Sequence, residues 1–507
     1  MTIGSAVCSH GSALRSALAG FEAALWQHSV EVYELCPASV GDWVSAHVDS
    51  TTACGHHKPS QNGLMQRGHS KDHRPDLAQL KLMTVAVHPH GHLAATQVVS
   101  GNTADDGLYL PIIDRTRAMI GQTGALYSGD SKLAALATRA ALARADDYYL
   151  TVAPLTGETA KALPDWIEAA ISGAPLTVEL VNAAGEKIGR GYEFERDCVA
   201  PLPTGPGGAL EDFTWSERVQ VMRSDALAAQ QAVGLDKRLD SAREELLALT
   251  PEPGRGHRQV RDEERLQPAI HQTLANHRVA GLLEVEWQVQ ERRQMRFVGR
   301  GRGGAHRERQ EIITRRCQIT SVTRDEAAIA APVERLGWRV QLTNAPLTIS
   351  LQSCVNHYRA NWRGERNYHR LKSQPIGIDP IFVRNDDQLI GLTHLLTLAA
   401  RVESLLEWEV ARGLKSEAKE MKGLYAGQPQ PATATPTAIA LLQAITRSEI
   451  TLTRWEYEGQ TSWHLTPLPE LLLDVLRYLH LPLTLYTGVV ANSVAANSVF
   501  DISIFGK

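Results

Sequence analysis

Glu365 is the centre of the most informative spacing in the chain. Tyr358 and Asn361 precede it by seven and four residues, and Lys372 follows by seven. These offsets put all four on one face of an α-helix, with only about 20° of drift per seven residues. An acid flanked by a phenol and an amine could present a carboxylate to a metal and polar or cationic groups to a phosphate. The same set also fits a solvated helix face with incidental charges, and spacing alone leaves both readings open. Combination adds weight. Two further acids, Asp49 and Asp130, each close a short apolar run. Three carboxylates converging on one point repel one another unless a divalent cation neutralises them. Mg²⁺ prefers oxygen ligands and keeps waters or substrate phosphates in its remaining positions. Two such ions about 4 Å apart activate an attacking oxygen and stabilise a leaving one in phosphoryl transfer.

The elements that must position these acids follow from periodicity. Trp43, Val44, Ala46 and Val48 predict a buried strand running into Asp49-Ser50-Thr51-Thr52. Residues 82–87 and 93–99 flank His88-Pro89-His90-Gly91, a hairpin signal with a tight polar turn. Leu108, Ile112, Ile113 and Met119 mark a helix over 105–120, opened by acids that suit its positive end. A short strand at 125–127 leads through Gly129 to Asp130, followed by an Ala-rich helix over 131–144 and a strand over 148–154. Strand, hairpin, helix, strand, helix, strand is the order of a mixed sheet with helices packed on it.

Beyond residue 154 the character changes. Residues 200–208, rich in Pro and Gly, read as a linker or loop. Ser224 can cap a long helix whose Leu235, Leu239, Ala242, Leu246 and Leu249 fall at helical spacing for packing on a core. From 282 to 343 the pattern is strand-like around an arginine cluster, with the glycines of 299–304 as a turn. Helical pattern returns over 351–371 and 389–414, and the Pro-rich 427–436 reads as a second linker. A small mixed segment runs to about Tyr486. The last twenty residues, with Ala-Asn-Ser-Val written twice, carry no pattern and read as a non-native extension.

Composition bounds the function. The 507 residues predict about three domains. A net charge of −4 excludes a chain that is basic throughout, yet the average hides an asymmetry. There are 12 Lys and 40 Arg, and no Lys lies between Lys237 and Lys372. Residues 255–316 hold 14 Arg against 8 acids, a local surplus of +6. Arginine offers phosphate a rigid bidentate fork where lysine offers a point charge. The cluster (Arg292, Arg293, Arg296, Arg300, Arg302, Arg307, Arg309, Arg315, Arg316) therefore reads as a DNA-tracking surface, with a solvated strand face as the blander alternative. Hydrophobic content of 43% argues against wholesale disorder. Six cysteines without a C-x-x-C pair disfavour a disulfide framework or cysteine zinc site. Glu22 interrupts the only early apolar stretch, and Asp474 and Arg477 cut the apolar 471–485. Neither reads as a secretory signal or a simple membrane span, so a reducing, cytoplasmic compartment is expected.

A resemblance gathers these parts. The stretch Tyr358-Arg-Ala-Asn-Trp-Arg-Gly-Glu365-Arg-Asn-Tyr-His-Arg-Leu-Lys372 resembles the Y-x-x-R-x-x-x-E-x6-K signature of DDE transposases from bacterial insertion sequences. The similarity is to the insertion-sequence-four group, which carries a β-rich insertion before the glutamate. His47-Val-Asp49-Ser-Thr-Thr resembles the first catalytic strand, and Gly68-His-Ser-Lys-Asp-His-Arg-Pro-Asp76-Leu the polar motif after it. Ser100-Gly-Asn102-Thr-Ala-Asp105 resembles the next motif, Ser128-Gly-Asp130-Ser the second acid, and Gly337-Trp-Arg-Val-Gln-Leu-Thr-Asn344 the strand leaving the insertion. The ordered set spans roughly residues 43–415. Two positions depart from the pattern: Asn361 stands where the signature has Arg, and Gly364 where an apolar residue is usual. Only 48 residues precede Asp49, fewer than relatives generally carry, which reads as a truncated copy.

The resemblance implies an α/β fold: a ribonuclease H-like mixed sheet with flanking helices, a β-rich insertion and a small C-terminal α/β segment. The expected organisation is an N-terminal helical remnant (1–40), first core part (41–200), linker, long helix and insertion (201–345), second core part with the glutamate helix (346–425), C-terminal segment (426–487) and unstructured tail (488–507). It implies Asp49, Asp130 and Glu365 as ligands of two Mg²⁺ ions, with Mn²⁺ as substitute. Water would be the first nucleophile at the element's end and the freed 3′-hydroxyl the second, joining that end to target DNA. Tyr358, Asn361 and Lys372 would meet the phosphate backbone, and Arg300 and Arg302 the DNA path. Partners would be terminal inverted repeats, target DNA and a second copy in the synaptic complex, with no membrane; the location would be the bacterial cytoplasm, on the nucleoid when DNA-bound. The alternative is a catalytically silent, truncated DNA-binding relic. The histidines at 56, 57, 69, 73, 88, 90 and 92 read as polar loop and turn residues rather than a zinc site, since no H-E-x-x-H appears.

Overall fold

The computed structural model describes residues 3–33, 35, 44–182, 184–205, 208–254, 259–298, 306, 308–428 and 430–488. Two compact units emerge. One comprises Met1–Val152, Arg196–Glu217 and Leu342–Lys507; the other comprises Ala153–Glu195 and Arg218–Gln341.

The first unit opens with α1 (Ile3–Tyr33), β1 (Ser45–Gly55), β2 (Ala78–Val87), β3 (His92–Ser100), α2 (Tyr109–Ile120), β4 (Leu126–Gly129), α3 (Leu136–Arg144) and β5 (Tyr148–Val152). β2 pairs antiparallel with β1 and β3, whereas β1–β4 and β4–β5 are parallel. Every residue of β2 is buried, the polar Gln79, Lys81 and Thr84 along with its apolar side chains. Its one charged residue, Lys81, meets Asp105 at 2.5 Å and the Thr103 carbonyl at 2.6 Å. Glu22, the acid that interrupts the N-terminal apolar stretch, is buried on α1 and accepts from Arg115 at 2.7 Å and from Arg401.

The chain continues with α4 (Gly157–Ser172), β6 (Val178–Val181), β7 (Lys187–Pro203), β8 (Leu210–Ser224), α5 (Asp225–Ala248), α6 (Glu263–Asn276), β9 (Leu283–Phe297), β10 (Arg309–Arg324), α7 (Glu326–Glu334) and β11 (Trp338–Thr343). Of the two readings of residues 200–208, linker or loop, the described residues fit the loop: β7 runs to Pro203 and β8 starts at Leu210. Ser224 caps α5, its hydroxyl accepting from the Leu227 amide. Leu235, Leu239, Ala242 and Leu246 pack with Leu266, Ile270 and Leu274 of α6 and with the base of the antiparallel β9–β10 ribbon at Leu283, Cys317 and Ile319. The distal half of that ribbon is mostly exposed.

The last stretch holds α8 (Leu351–Arg359), α9 (Trp362–Lys372), α10 (Asp386–Ser416), α11 (Ala438–Arg447), β12 (Leu452–Tyr457), β13 (Gln460–Leu465) and α12 (Glu470–Tyr478). The Pro-rich 427–436 is not an extended linker. Met421 and Thr433 bond each other's main chain, and Met421, Leu424 and Ala438 share a core with α10 and α12. α10 is long and apolar enough to cross a membrane by length and composition. Here it packs on α1, β3, α9, α11 and α12, with Arg401, Glu403 and Glu409 buried along it. The whole is a mixed α/β protein whose large sheet has the strand order β3-β2-β1-β4-β5-β11-β8-β7-β6, flanked by helices. The expected tail beyond 488 lies outside the described residues.

Candidate active site

Two of the three acids are neighbours by strand register. β1 and β4 run parallel with Ala46 opposite Tyr127, His47 opposite Ser128 and Val48 opposite Gly129. Asp49 and Asp130 come next on adjacent strands, whose axes are about 4.8 Å apart. Asp49 Oδ1 accepts from the Ser50 amide at 2.7 Å and from Lys71 Nζ at 3.3 Å. Burial pushes the Asp49 carboxyl up; Lys71 and the Ser50 amide act against this, and Asp130 adds to it. Asp130 Oδ1 accepts from the Tyr109 hydroxyl at 2.6 Å and the Lys132 amide at 2.9 Å. Its main-chain oxygen accepts from Thr151 Oγ1 on β5 at 2.7 Å.

Glu365 arrives on α9. The helix comes close to the sheet because Gly364 has no side chain: a Cβ there would stand 2.7 Å from His47 Cδ2 and 3.3 Å from Ala86 Cβ. The glycine at position 364 thus has a packing cause. Partial burial and then Asp49 push the Glu365 carboxyl up, while Lys71 pulls it down. Tyr368, one turn further on, shares a 2.8 Å hydrogen bond with Thr84 Oγ1, and Thr84 is the β2 partner of Asp49. Burial, then Asp49, and also Asp130 and Glu365 push the Tyr368 phenol well above its ordinary value.

The continuous helix expected from 351 to 371 is broken. α8 stops at Arg359 and α9 starts at Trp362, so Tyr358 and Glu365 occupy different helices and the four-residue stripe does not exist. The break is fixed by Asn361, only 4% exposed, whose Oδ1 accepts from Ser128 Oγ at 2.8 Å and faces His88 Nε2 at 3.1 Å. A phosphate contact by Asn361 has no surface to work from here. Tyr358 packs on a small core of Leu126, Leu150, Ala345, Ile349 and Cys354. Lys372 does remain on the helix of Glu365, with Nζ 2.5 and 2.6 Å from the two carboxylate oxygens of Asp72. Arg300, Arg302 and Arg307 lie outside the described residues. Arg292, Arg293 and Arg296 are exposed on β9, while Arg315 pairs with Glu291 at 2.9 Å and Arg316 donates to the Pro251 carbonyl at 3.1 Å.

Sequence reading missed a buried histidine group. His47, His88, His90, His92 and His357 are each at most 9% exposed, and His88 and His357 hold their ring centroids 4.5 Å apart. Burial lowers His47, His88 and His90 to about 4 and His357 to about 3, so the rings are neutral. The turn reading of His88 and His90 describes the backbone but not the burial; His56, His69 and His73 are exposed as expected.

Among the described residues, no three His, Cys, Asp or Glu side chains already meet as a metal cage. Their partners are other groups: Lys71 meets Asp49, and Tyr109 with the Lys132 amide meets Asp130. The donor chemistry nevertheless fits a hard divalent ion. Asp49 and Glu365 are carboxyls pushed up by burial and by neighbouring acids, and added positive charge relieves that condition. No protein-family model matches this chain, and no curated protein matches it.

Proposed function

We propose that the protein is a Mg²⁺-dependent DDE transposase of the bacterial insertion-sequence type, with β1–β5 and α9 forming a ribonuclease H-like core. The observation that carries the reading is the parallel register that sets Asp49 and Asp130 at the ends of neighbouring strands, with Gly364 bringing the helix of Glu365 against His47 of β1. The ordered motifs of the sequence point the same way. Asp49, Asp130 and Glu365 would hold two Mg²⁺ ions, or Mn²⁺ in their place. When bound, such ions supply a lowered water pKa and charge stabilisation of an in-line displacement. Tyr109 fixes one oxygen of Asp130 and leaves the other for a ligand. Tyr368 and Thr84 brace the floor between β2 and α9.

The substrate would be DNA: the element's terminal repeats first, then a target, with two copies of the chain bridging two ends on the bacterial nucleoid. Exposed arginines on β9 offer a phosphate-tracking face, and Arg300 and Arg302, which follow them in sequence, would add further phosphate contacts. A second reading, a catalytically silent DNA-binding relic, draws on Asn361 being buried where the signature has a cation. Strand cleavage of a terminal-repeat duplex separates the two. The transposase reading expects nicking with Mg²⁺ that stops with chelator and falls at least about 10²-fold in Glu365→Gln, the loss of several kcal/mol of transition-state stabilisation. DNA binding by the parent without any cleavage would leave the relic.

A further inference from the structure

We infer that Lys71 is a built-in counter-cation of the acid cluster, a positioning residue that competes with a divalent ion for Asp49. The inference rests on the metal-dependent reading above. Lys71 Nζ lies 3.3 Å from Asp49 Oδ1 and 2.5 Å from the main-chain oxygen of Ser50. The Lys71 side chain keeps 32% exposure against 17% for Asp49, so the ammonium enters from the solvent side. Its charge also reaches Glu365, where it opposes the effect of Asp49. One ammonium thus meets a carboxylate and a carbonyl oxygen. Those are the kinds of ligand that a hard divalent ion takes.

An incidental surface ion pair would not be aimed this way, since exposed pairs hold their long side chains loosely. The segment carrying Lys71 is fastened on both sides of it. Ser70 Oγ accepts from the amides of Asp72 and Arg74 at 3.3 and 3.2 Å, and Gln79 Nε2 donates to the His69 carbonyl at 2.8 Å. Asp72 accepts from Lys372 at 2.5 and 2.6 Å and from Thr52 Oγ1 at 3.1 Å. The strap is therefore tied to β1 and to the last turn of α9, the two elements that carry Asp49 and Glu365.

An ammonium and a divalent ion repel each other at one carboxylate. Ion entry requires the ammonium to retract, which the flexible four-carbon stem of lysine permits. Until then the lysine offsets part of the repulsion among the acids and lowers the affinity of the site for metal.

The test titrates the full chain with Mn²⁺, without DNA at neutral pH, reading free ion by electron paramagnetic resonance. Lys71→Met is expected to bind Mn²⁺ up to about fivefold tighter than the parent, the scale of one lost competing charge contact. Lys71→Arg, which keeps the charge, is expected to stay near the parent. Without metal the Tm of Lys71→Met falls below the parent's, and saturating Mg²⁺ raises it by more. Should Lys71→Met fail to fold without metal, Lys71→Gln is read the same way. A merely structural role would lower Tm without tightening ion binding. Equal or weaker binding by Lys71→Met and Lys71→Gln, with the parent binding normally, overturns the role of Lys71 alone. Absence of Mn²⁺ binding in the parent and the variants overturns both this role and the metal-dependent reading.

Discussion

Asn361 accepts a hydrogen bond from Ser128 Oγ at 2.8 Å, tying the break between α8 and α9 to the strand that leads into Asp130. The contact couples the position of the Glu365 helix to the second acid through a single buried amide. Asn361→Arg would place a cation at this position, yet it would force a guanidinium among His88, His357 and Ser128. The expected outcome is loss of about 3 kcal/mol or more, as for other unpaired buried charges. A clear fall in Tm by calorimetry checks this; an unchanged Tm would mean the site has room for a cation.

Gly364→Ala sets helix propensity against packing. Alanine favours a helix by about 1 kcal/mol. Its Cβ would stand 2.7 Å from His47 Cδ2, and overpacking of a filled core costs about 1–3 kcal/mol. A net destabilisation is expected in denaturant titration. The penalty should shrink in a His47→Ala background, where the opposing ring is gone.

Asp72→Asn would release Lys372 from its carboxylate partner. If the freed ammonium meets a phosphate, the plot of log affinity for duplex DNA against log salt steepens by about 0.9. An unchanged slope would assign Lys372 to holding the 69–74 strap alone.

Acid should weaken the fold through the buried imidazoles. Burial holds His88 at about 4 and His357 at about 3, against 6.5 in the unfolded chain. Between those values the unfolded state carries protons that the native state does not. Their contribution is complete above pH 6.5 and is lost as pH falls towards 4 for His88 and towards 3 for His357, at up to about 1.4 kcal/mol per pH unit for each histidine. Asp49 and Glu365 are shifted upward, and so act with the opposite sign, removing stability as pH rises through their raised values. Denaturant midpoints at pH 7.5, 6 and 5 should therefore fall in that order, and His357→Leu should flatten the decline.

Local rules reached much of this architecture. Apolar runs ending in acids identified β1 and β4, and a Ser before a leucine stripe identified α5. Those signals depend on neighbours in the chain, which a sequence displays directly. The helix break at Asn361 was hidden because residues 358–372 keep a helical period on both sides of it. The partners that cause it, Ser128 and His88, lie more than 200 residues away. Lys71 carried no signal of its own, since a lysine in a polar loop looks the same whether it points to water or to Asp49. His88 and His90 were hidden by their turn: tight turns usually lie at the surface, and this one is buried beneath α8 and α9.

The strap joining Asp72 to Lys372 spans 300 residues of chain. At typical synthesis rates of 5–20 residues per second, a ribosome needs about 15–60 s to deliver the second partner after the first. During that interval β1 and β4 can carry their acids but have no α9 to complete the cluster. The acid cluster is therefore assembled late, by the order in which its parts are made, and not as each acid leaves the ribosome.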